Sequence, residues 1–258
     1  MAGVLNRTGA GLGVGQRVAL EFAVESEAGV RVAAAAGALR VELCADLAAT
    51  DGVTPSLADI EAACAVGLPV HVLVRPRPGG FAYGREELAA IERGCVQAVR
   101  AGAAGVVVGM LSRDGGPDAE ALRRVAGVVR AEAPDAEVTF HRAFDAALAA
   151  GAEPAAALAR LADTGADRVL TSGGAPDCRL GLTALRRLVG LAREHAPGLE
   201  IMAGGGVTAA LVPPLLDAGV HAVHASARGR GGTIDPATAG AIAATISSAV
   251  AARPGNAQ

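Results

Sequence analysis

The chain predicts an α/β protein folded as a single (β/α)8 TIM barrel. Three observations carry that prediction. Short apolar runs alternate with longer Ala/Leu-rich amphipathic runs from Val18 onward. A helix–Gly–strand junction recurs, as Ala101-Gly102-Ala103, Thr164-Gly165-Ala166-Asp167 and Ala218-Gly219-Val220-His221. No linker rich in Pro, Ser or charge divides the chain, and about 240 residues suit eight such units. A doubly wound open sheet is the alternative.

Taken in order, β-branched runs predict strands near 19–24, 39–44, 69–75, 104–109, 137–142, 167–172, 199–204 and 221–226. Amphipathic spacing predicts helices near 26–37, 56–66, 85–101, 118–133, 153–164, 180–195, 208–218 and 236–251. Ser56, Asp118, Thr208 and Asp235 are suitable N-caps, the last before Pro236. Gly37, Gly67, Gly102, Gly165 and Gly219 suit the left-handed position that ends a helix. The barrel is expected over 18–252. Residues 1–17, Gly-rich, and 253–258 are expected to be flexible tails.

Composition excludes several classes. The net charge is −3, so no basic field draws nucleic acid or an anionic membrane. Aromatics are 2%, too few for base stacking to dominate binding. All 23 basic residues are Arg. Without Lys, a Schiff-base aldolase, a PLP enzyme and an ATP-binding P-loop are excluded. The early glycines precede the first strand and lack the NAD fingerprint spacing. Cys44, Cys64, Cys95 and Cys178 form no C-x-x-C pair. With no apolar leader and no membrane-length run, the expectation is a cytoplasmic protein with free thiols. Ala-rich outer helices are compatible with a homo-oligomer.

In a barrel, the strand C-termini carry the site. His141-Arg142 and Asp145 crowd together after the fifth strand, combining a group that titrates near neutrality with an acceptor and a fixed donor fork. A surface ion pair is the bland alternative. Glu21 and Glu42 sit inside apolar strands, where a charge is costly unless paired. By alternation Glu42 and Cys44 share a face; the alternative turns Glu42 outward to an Arg. Arg75 and Arg77 stand at the third strand's end, with Arg75 able to neutralise a carboxylate or clamp an anion. His71, four residues deeper, reads as a satisfied core histidine. Ser172, Gly204, Gly205, Gly206 and Ser226 follow strands 6 to 8 and read either as an anion site or as tight turns. His224 and Ser226 share parity. Cys178 is expected near the upper face.

These pieces accumulate into a family resemblance. Arg40-Val-Glu-Leu-Cys44, Thr54-Pro-Ser56, His71-Val-Leu-Val-Arg-Pro-Arg77, Thr139-Phe-His-Arg-Ala-Phe-Asp145, Arg168-Val-Leu-Thr-Ser-Gly173 and Ile201-Met-Ala-Gly-Gly-Gly-Val207 resemble the CutC family, in order and without large gaps. The resemblance implies a cytoplasmic TIM-type barrel associated with copper homeostasis. It implies that Glu21, Glu42, Cys44, Arg75, His141, Asp145, His224 and Ser226 line the cavity. Many relatives carry Cys where this chain has Ala23, and soft sulfur is what Cu(I) favours.

Two functional readings follow. In the first, copper is held by Cys44 with His224 or His141. In the second, His141, Asp145, Glu42 and Glu21 perform isomerase- or lyase-type acid–base chemistry. There Arg75, Arg142, Ser172, Gly204–Gly206 and Ser226 hold a small anionic, phosphorylated or sugar-derived substrate. The expected partner in both is a small molecule or metal ion.

Overall fold

The computed structural model describes residues 18–252, so the two expected tails lie outside the described residues. Eight parallel strands close into one barrel in chain order. They are β1 (Ala19–Val24), β2 (Arg40–Leu43), β3 (Val70–Leu73), β4 (Gly105–Val108), β5 (Glu137–Phe140), β6 (Arg168–Thr171), β7 (Glu200–Gly204) and β8 (Ala222–Ala225). Every predicted strand is present, shortened by at most two residues at either end. The open-sheet alternative is excluded by the β1–β8 seam, where Glu21 pairs with His224 and Phe22 with Ala225.

The helices are α1 (Glu27–Ala35), α2 (Leu47–Thr50), α3 (Leu57–Cys64), α4 (Arg85–Arg100), α5 (Ala119–Glu132), α6 (Ala143–Ala149), α7 (Pro154–Ala162), α8 (Leu182–His195), α9 (Val212–Asp217) and α10 (Pro236–Ala251). Ser56, Asp118 and Asp235 cap α3, α5 and α10 as expected. Two short helices were not foreseen. Helix α2 lies between Asp46 and Asp51, both left-handed, and its first N–H is taken by Glu25 from the β1 loop at 2.9 Å. Helix α6 begins immediately after His141-Arg142, where a turn was expected. The predicted 208–218 helix divides: Thr208 makes no side-chain cap, a 3-10 turn spans Ala209–Leu211, and Pro213-Pro214 lie in the first turn of α9.

Alternation along the strands sorts the side chains into two compartments. Phe22, Val41, Val72, Val106, Val138, Val169, Ile201 and Val223 belong to the main core, between sheet and helices. Burying each such side chain contributes about 1.5–3 kcal/mol. The opposite parity fills the barrel interior, with two small apolar groups: Cys44–Leu73–Val107 and Leu170–Met202–Ala222.

The rest of the interior is ionic. Arg40 bridges Glu21 and Glu137, and Arg168 bridges Glu137 and Glu200. Arg40 also reaches Thr139 Oγ1 at 3.3 Å. Alternating charges closing the barrel's lower half satisfy the condition that buried ions be paired and hydrogen-bonded. His71 enters this layer through a gap at Gly105, where a Cβ would collide with its ring at 2.5 Å. It is buried as expected, but its Nδ1 has no partner, and burial followed by the Arg40 charge lowers its pKa to about 3.

Candidate functional site

The barrel register builds the upper site around Glu21. Its ladder partners are Arg40 on β2 and His224 on β8, so one buried carboxylate is flanked by a guanidinium and an imidazole. Arg40 Nε donates to Oε2, and Oε1 lies 2.6 Å from His224 Nδ1. Burial alone would push Glu21 upward, but the Arg40 charge and the His224 hydrogen bond outweigh it and hold the carboxyl far below its ordinary range. The His224 ring is shaped by a glycine: a Cβ at Gly204 would lie 3.1 Å from the His224 Cβ. Burial works against the charge of His224, but the Glu21 hydrogen bond and the Glu42 charge raise its pKa. Among the described residues, no hydrogen bond engages its Nε2.

Glu42 stands beside this pair. Its ladder partners are Ala23 and His71. Its Oε2 is 3.6 Å from His224 Nδ1 and has no hydrogen-bond partner. Burial, opposed by the charge of His224 and reinforced by Glu21, raises its pKa from 4.5 to about 7. Burial thus favours the protonated form of Glu42, whereas Arg40 and His224 favour the ionised form of Glu21.

Glu42 and His224 open into a cavity of about 650 Å³ at the strand C-termini. Arg75 and His141 line the same cavity, from the β3 and β5 ends. Arg75 is 5% exposed and, among the described residues, has no carboxylate partner. Its Nη1 donates to Thr50 O and Gly52 O, each at 2.9 Å, and its Nη2 to Gly79 O at 3.0 Å. Nε is buried and unpartnered. Thr54 fixes the backbone here, accepting from Arg75 N at 2.9 Å. Arg77, its predicted neighbour, instead turns to Glu87 and the Tyr83 ring.

His141 occupies a slot left by Gly109, where a Cβ would overlap the imidazole. Ala143 N–H donates to Nδ1 at 3.0 Å, so the neutral ring carries its proton on Nε2. That Nε2 is buried and unpartnered. Burial, then the Arg75 charge, lowers the His141 pKa to about 3. His141 is therefore a neutral donor, not the group titrating near pH 7. Phe81 covers both donors: its ring centroid lies 5.0 Å from that of His141 and 5.2 Å from Arg75 Cζ.

Asp145 does not orient His141. It accepts from Arg142 Nε at 2.8 Å, Ser172 N at 3.0 Å, Ser172 Oγ at 2.9 Å and Gly174 N at 2.9 Å, besides Thr171 Oγ1. This carboxylate is saturated and staples α6 to the loop after β6, outside the cavity. Ser172 is likewise consumed by Asp145, Arg142 and Ala175 O. Arg142 and Ser226 do border the cavity, with Gly205 and Gly206. Those glycines adopt φ of +117° and +67°, which a tight turn requires. They lead into extended Thr208 and the short 3-10 turn, so the expected helix N-terminus for an anion is absent there. Neither Glu21 nor Gly204 lines the cavity.

Cys44 points into the barrel, as alternation predicts, but under a cover of Leu47 and Leu73. Its Sγ donates to Val24 O at 3.6 Å, and burial, with the Glu42 charge, pushes its pKa up strongly. Cys178 is buried too, and burial pushes it up to about 12. Neither thiol is disposed to become the thiolate that Cu(I) favours. Among the described residues, the metal-compatible group of three is Glu21, Glu42 and His224, with ligand atoms within 4.8 Å of one another. Its donors are oxygen and nitrogen.

A profile of the CutC family matches residues 18–229, the whole barrel up to the loop after β8. The chain belongs to the CutC family. A CutC family protein of Yersinia enterocolitica is 39% identical over 209 residues, covering 81% of this chain and 78% of that one. One from Rhizobium meliloti is 39% identical over 215 residues, covering 82% and 83%. CutC from Streptococcus agalactiae, described as a candidate copper homeostasis protein, superposes with a TM-score of 0.71 at 28% identity, covering 81% and 98%. The N-(5'-phosphoribosyl)anthranilate isomerase of Pyrococcus furiosus, at 15% identity and a TM-score of 0.58 with coverage of 90% and 99%, shares the fold. No described helix is long and apolar enough to cross a membrane.

Within this CutC barrel, sequence reasoning missed three participants. Phe81 is one of four Phe residues, but it lies in a loop with no periodic signal. Gly109 matters only through the ring opposite it. Arg40 was visible as a charge at the start of a strand, the same signal that drew attention to Glu21 and Glu42.

Proposed function

We propose that this CutC-family barrel performs acid–base chemistry of the isomerase or lyase type on a small anionic carbonyl compound. The carrying observation is Glu42 Oε2, a buried carboxylate oxygen without a hydrogen-bond partner on a cavity that also holds the neutral donor His141 and the unpaired cation Arg75. A pKa near the working pH is the requirement for a proton-transfer group. Glu42 takes a proton from a carbon beside the substrate carbonyl. The C–H electron pair moves toward the carbonyl oxygen, where His141 Nε2–H and Arg75 stabilise the developing negative charge. The proton returns to a neighbouring carbon, or a leaving group departs. Glu21 and His224 hold the charge balance around Glu42 throughout. The test is proton–deuterium exchange in D2O, followed by NMR, on a panel of small 2-oxo acids and sugar-derived carbonyl compounds. Exchange is expected in at least one, with Glu42→Gln slowing it by about 100-fold or more. Exchange that survives Glu42→Gln at full rate sinks the reading.

The Glu21–Glu42–His224 group favours a second reading, in which the cargo is a divalent cation such as Cu(II). Two carboxylates and an imidazole suit Cu(II) or Zn(II) better than Cu(I). Family membership supports a copper role; the donor set supports its divalent form. Calorimetric titration with Cu(II) tests it, and binding unaffected by both Glu42→Gln and His224→Gln would reject this site.

A further inference from the structure

The donor side of the cavity is incomplete in a specific way. Arg75 has five N–H groups. Two on Nη1 and one on Nη2 are taken by the carbonyls of Thr50, Gly52 and Gly79. Among the described residues, the Nε–H and one Nη2 hydrogen make no close hydrogen bond, Nε being buried, and the neighbouring side-chain hydroxyl is that of Tyr83. Nε and Nη2 form the side edge of the guanidinium, whose two parallel donors match the two oxygens of a carboxylate. Three backbone carbonyls hold that edge in place but supply no formal negative charge. Burying a cation without a counter-charge is unfavourable unless a ligand brings one.

His141 adds the adjacent feature. Its tautomer is set by the Ala143 N–H, leaving Nε2–H as a second buried, unpartnered donor. Phe81 lies against both groups, so it covers them with one apolar face. Across the mouth, neither the loop after β7 nor that after β8 opens a helix N-terminus to a phosphate. The loop after β7 leads into a three-residue 3-10 turn, and the first turn of α10 is occupied by the Asp235 carboxylate.

We infer that the Arg75 edge and His141 Nε2–H form a subsite for a 2-oxo carboxylate, with the carboxylate on Arg75 and the adjacent carbonyl oxygen on His141. The assignment deepens the proposed function, resting on the acid–base reading for the role of Glu42 beside the bound carbonyl. Arg75 then selects for the acid and His141 for the oxo group. Phe81 excludes water from both contacts and strengthens them.

Binding of pyruvate, methyl pyruvate, propionate and inorganic phosphate to the intact chain, followed by ligand-observed NMR, tests this. Pyruvate is expected to bind saturably. Methyl pyruvate and propionate are expected to bind at least 10-fold more weakly, and phosphate not to displace pyruvate. Arg75→Lys keeps the charge and loses the fork; it is expected to weaken pyruvate at least 10-fold. Because Arg75 also braces two loops, His141→Leu provides an independent arm: it should abolish the preference for pyruvate over propionate. Equal binding of the ester, displacement by phosphate, or an undiminished oxo preference in His141→Leu overturns the subsite. Binding is read without turnover, so pyruvate held as described, with no compound of the panel exchanged, removes the acid–base reading alone. Exchange on an uncharged carbonyl compound without pyruvate binding removes the subsite alone.

Discussion

Glu21 Oε1 lies 2.6 Å from His224 Nδ1 across the seam where the first and last strands close the barrel. The contact links closure of the fold to the chemistry of the cavity. Glu21 also holds Arg40, so it anchors the interior ion network from above. Glu21→Gln should therefore act twice. It removes the carboxylate whose hydrogen bond raises the His224 pKa, and NMR titration of the imidazole should show a lower His224 pKa. It also leaves Arg40 with only Glu137 as a carboxylate partner, and breaking a buried pair on one side costs about 3–5 kcal/mol. Urea unfolding followed by circular dichroism reads that loss. A Gln variant as stable as the parent would show that the seam pair is not needed for closure.

Glu42 gives a pH signature of definite sign. Its pKa rises from 4.5 to about 7 in the folded chain. Between those values the folded state binds a proton that the unfolded state does not, so Glu42's contribution to stability falls as pH rises through this window. Below 4.5 both states are protonated and the contribution is fully retained. A shift of this size corresponds to a few kcal/mol, on the order of 1.4 kcal/mol per pKa unit. The parent and Glu42→Gln should therefore diverge in unfolding free energy from pH 4.5 to 7, the parent losing more. Parallel pH profiles would contradict the assignment.

The barrel was legible because apolar periodicity and helix-ending glycines agree all along the chain. Helices α2 and α6 were not legible, because tertiary contacts hold them: Glu25 caps one, and Asp145 ties the other to the loop after β6. At the site, strand position drew attention to Glu21 and Glu42, which the closed barrel buries, and to Arg75, which stands at the cavity at the end of β3. Local crowding misdirected the reading of His141 and Asp145. They are four residues apart, yet Asp145 is spent on Ser172 and Arg142, while the His141 Nδ1 is satisfied by the backbone only two residues on. Which carboxylate faces which imidazole depends on barrel register, and register is a property of the closed sheet.

Cys44 offers a clean discrimination between soft and hard metal chemistry. Its thiol is covered by Leu47 and Leu73, and burial holds it in the neutral form. Cys44→Ser should leave Cu(II) affinity unchanged in calorimetric titration. Cu(I) supplied under anaerobic conditions should not be retained through buffer exchange. Loss of metal binding on Cys44→Ser would instead show that the thiol can be uncovered, and would return sulfur to the site.

Gly109 tests whether the His141 slot is built into the strand. A Cβ there would overlap the imidazole, and it would also meet the Ala143 Cβ at 2.8 Å. The backbone of β4 cannot retreat, because His141 N donates to Val108 O at 2.8 Å and holds the two strand ends together. The ring must therefore swing out, breaking the Ala143 contact that sets its tautomer. Gly109→Ala should cost about 1–3 kcal/mol through overpacking. Its distinguishing mark is at His141: the Nε2–H donor should lose its fixed direction, and the ring should regain a pKa nearer 6.5 as it reaches solvent. Nitrogen-detected NMR of the imidazole reads both. A Gly109→Ala chain that is destabilised yet keeps the His141 tautomer and low pKa would mean that Ala143, rather than the glycine slot, positions the ring.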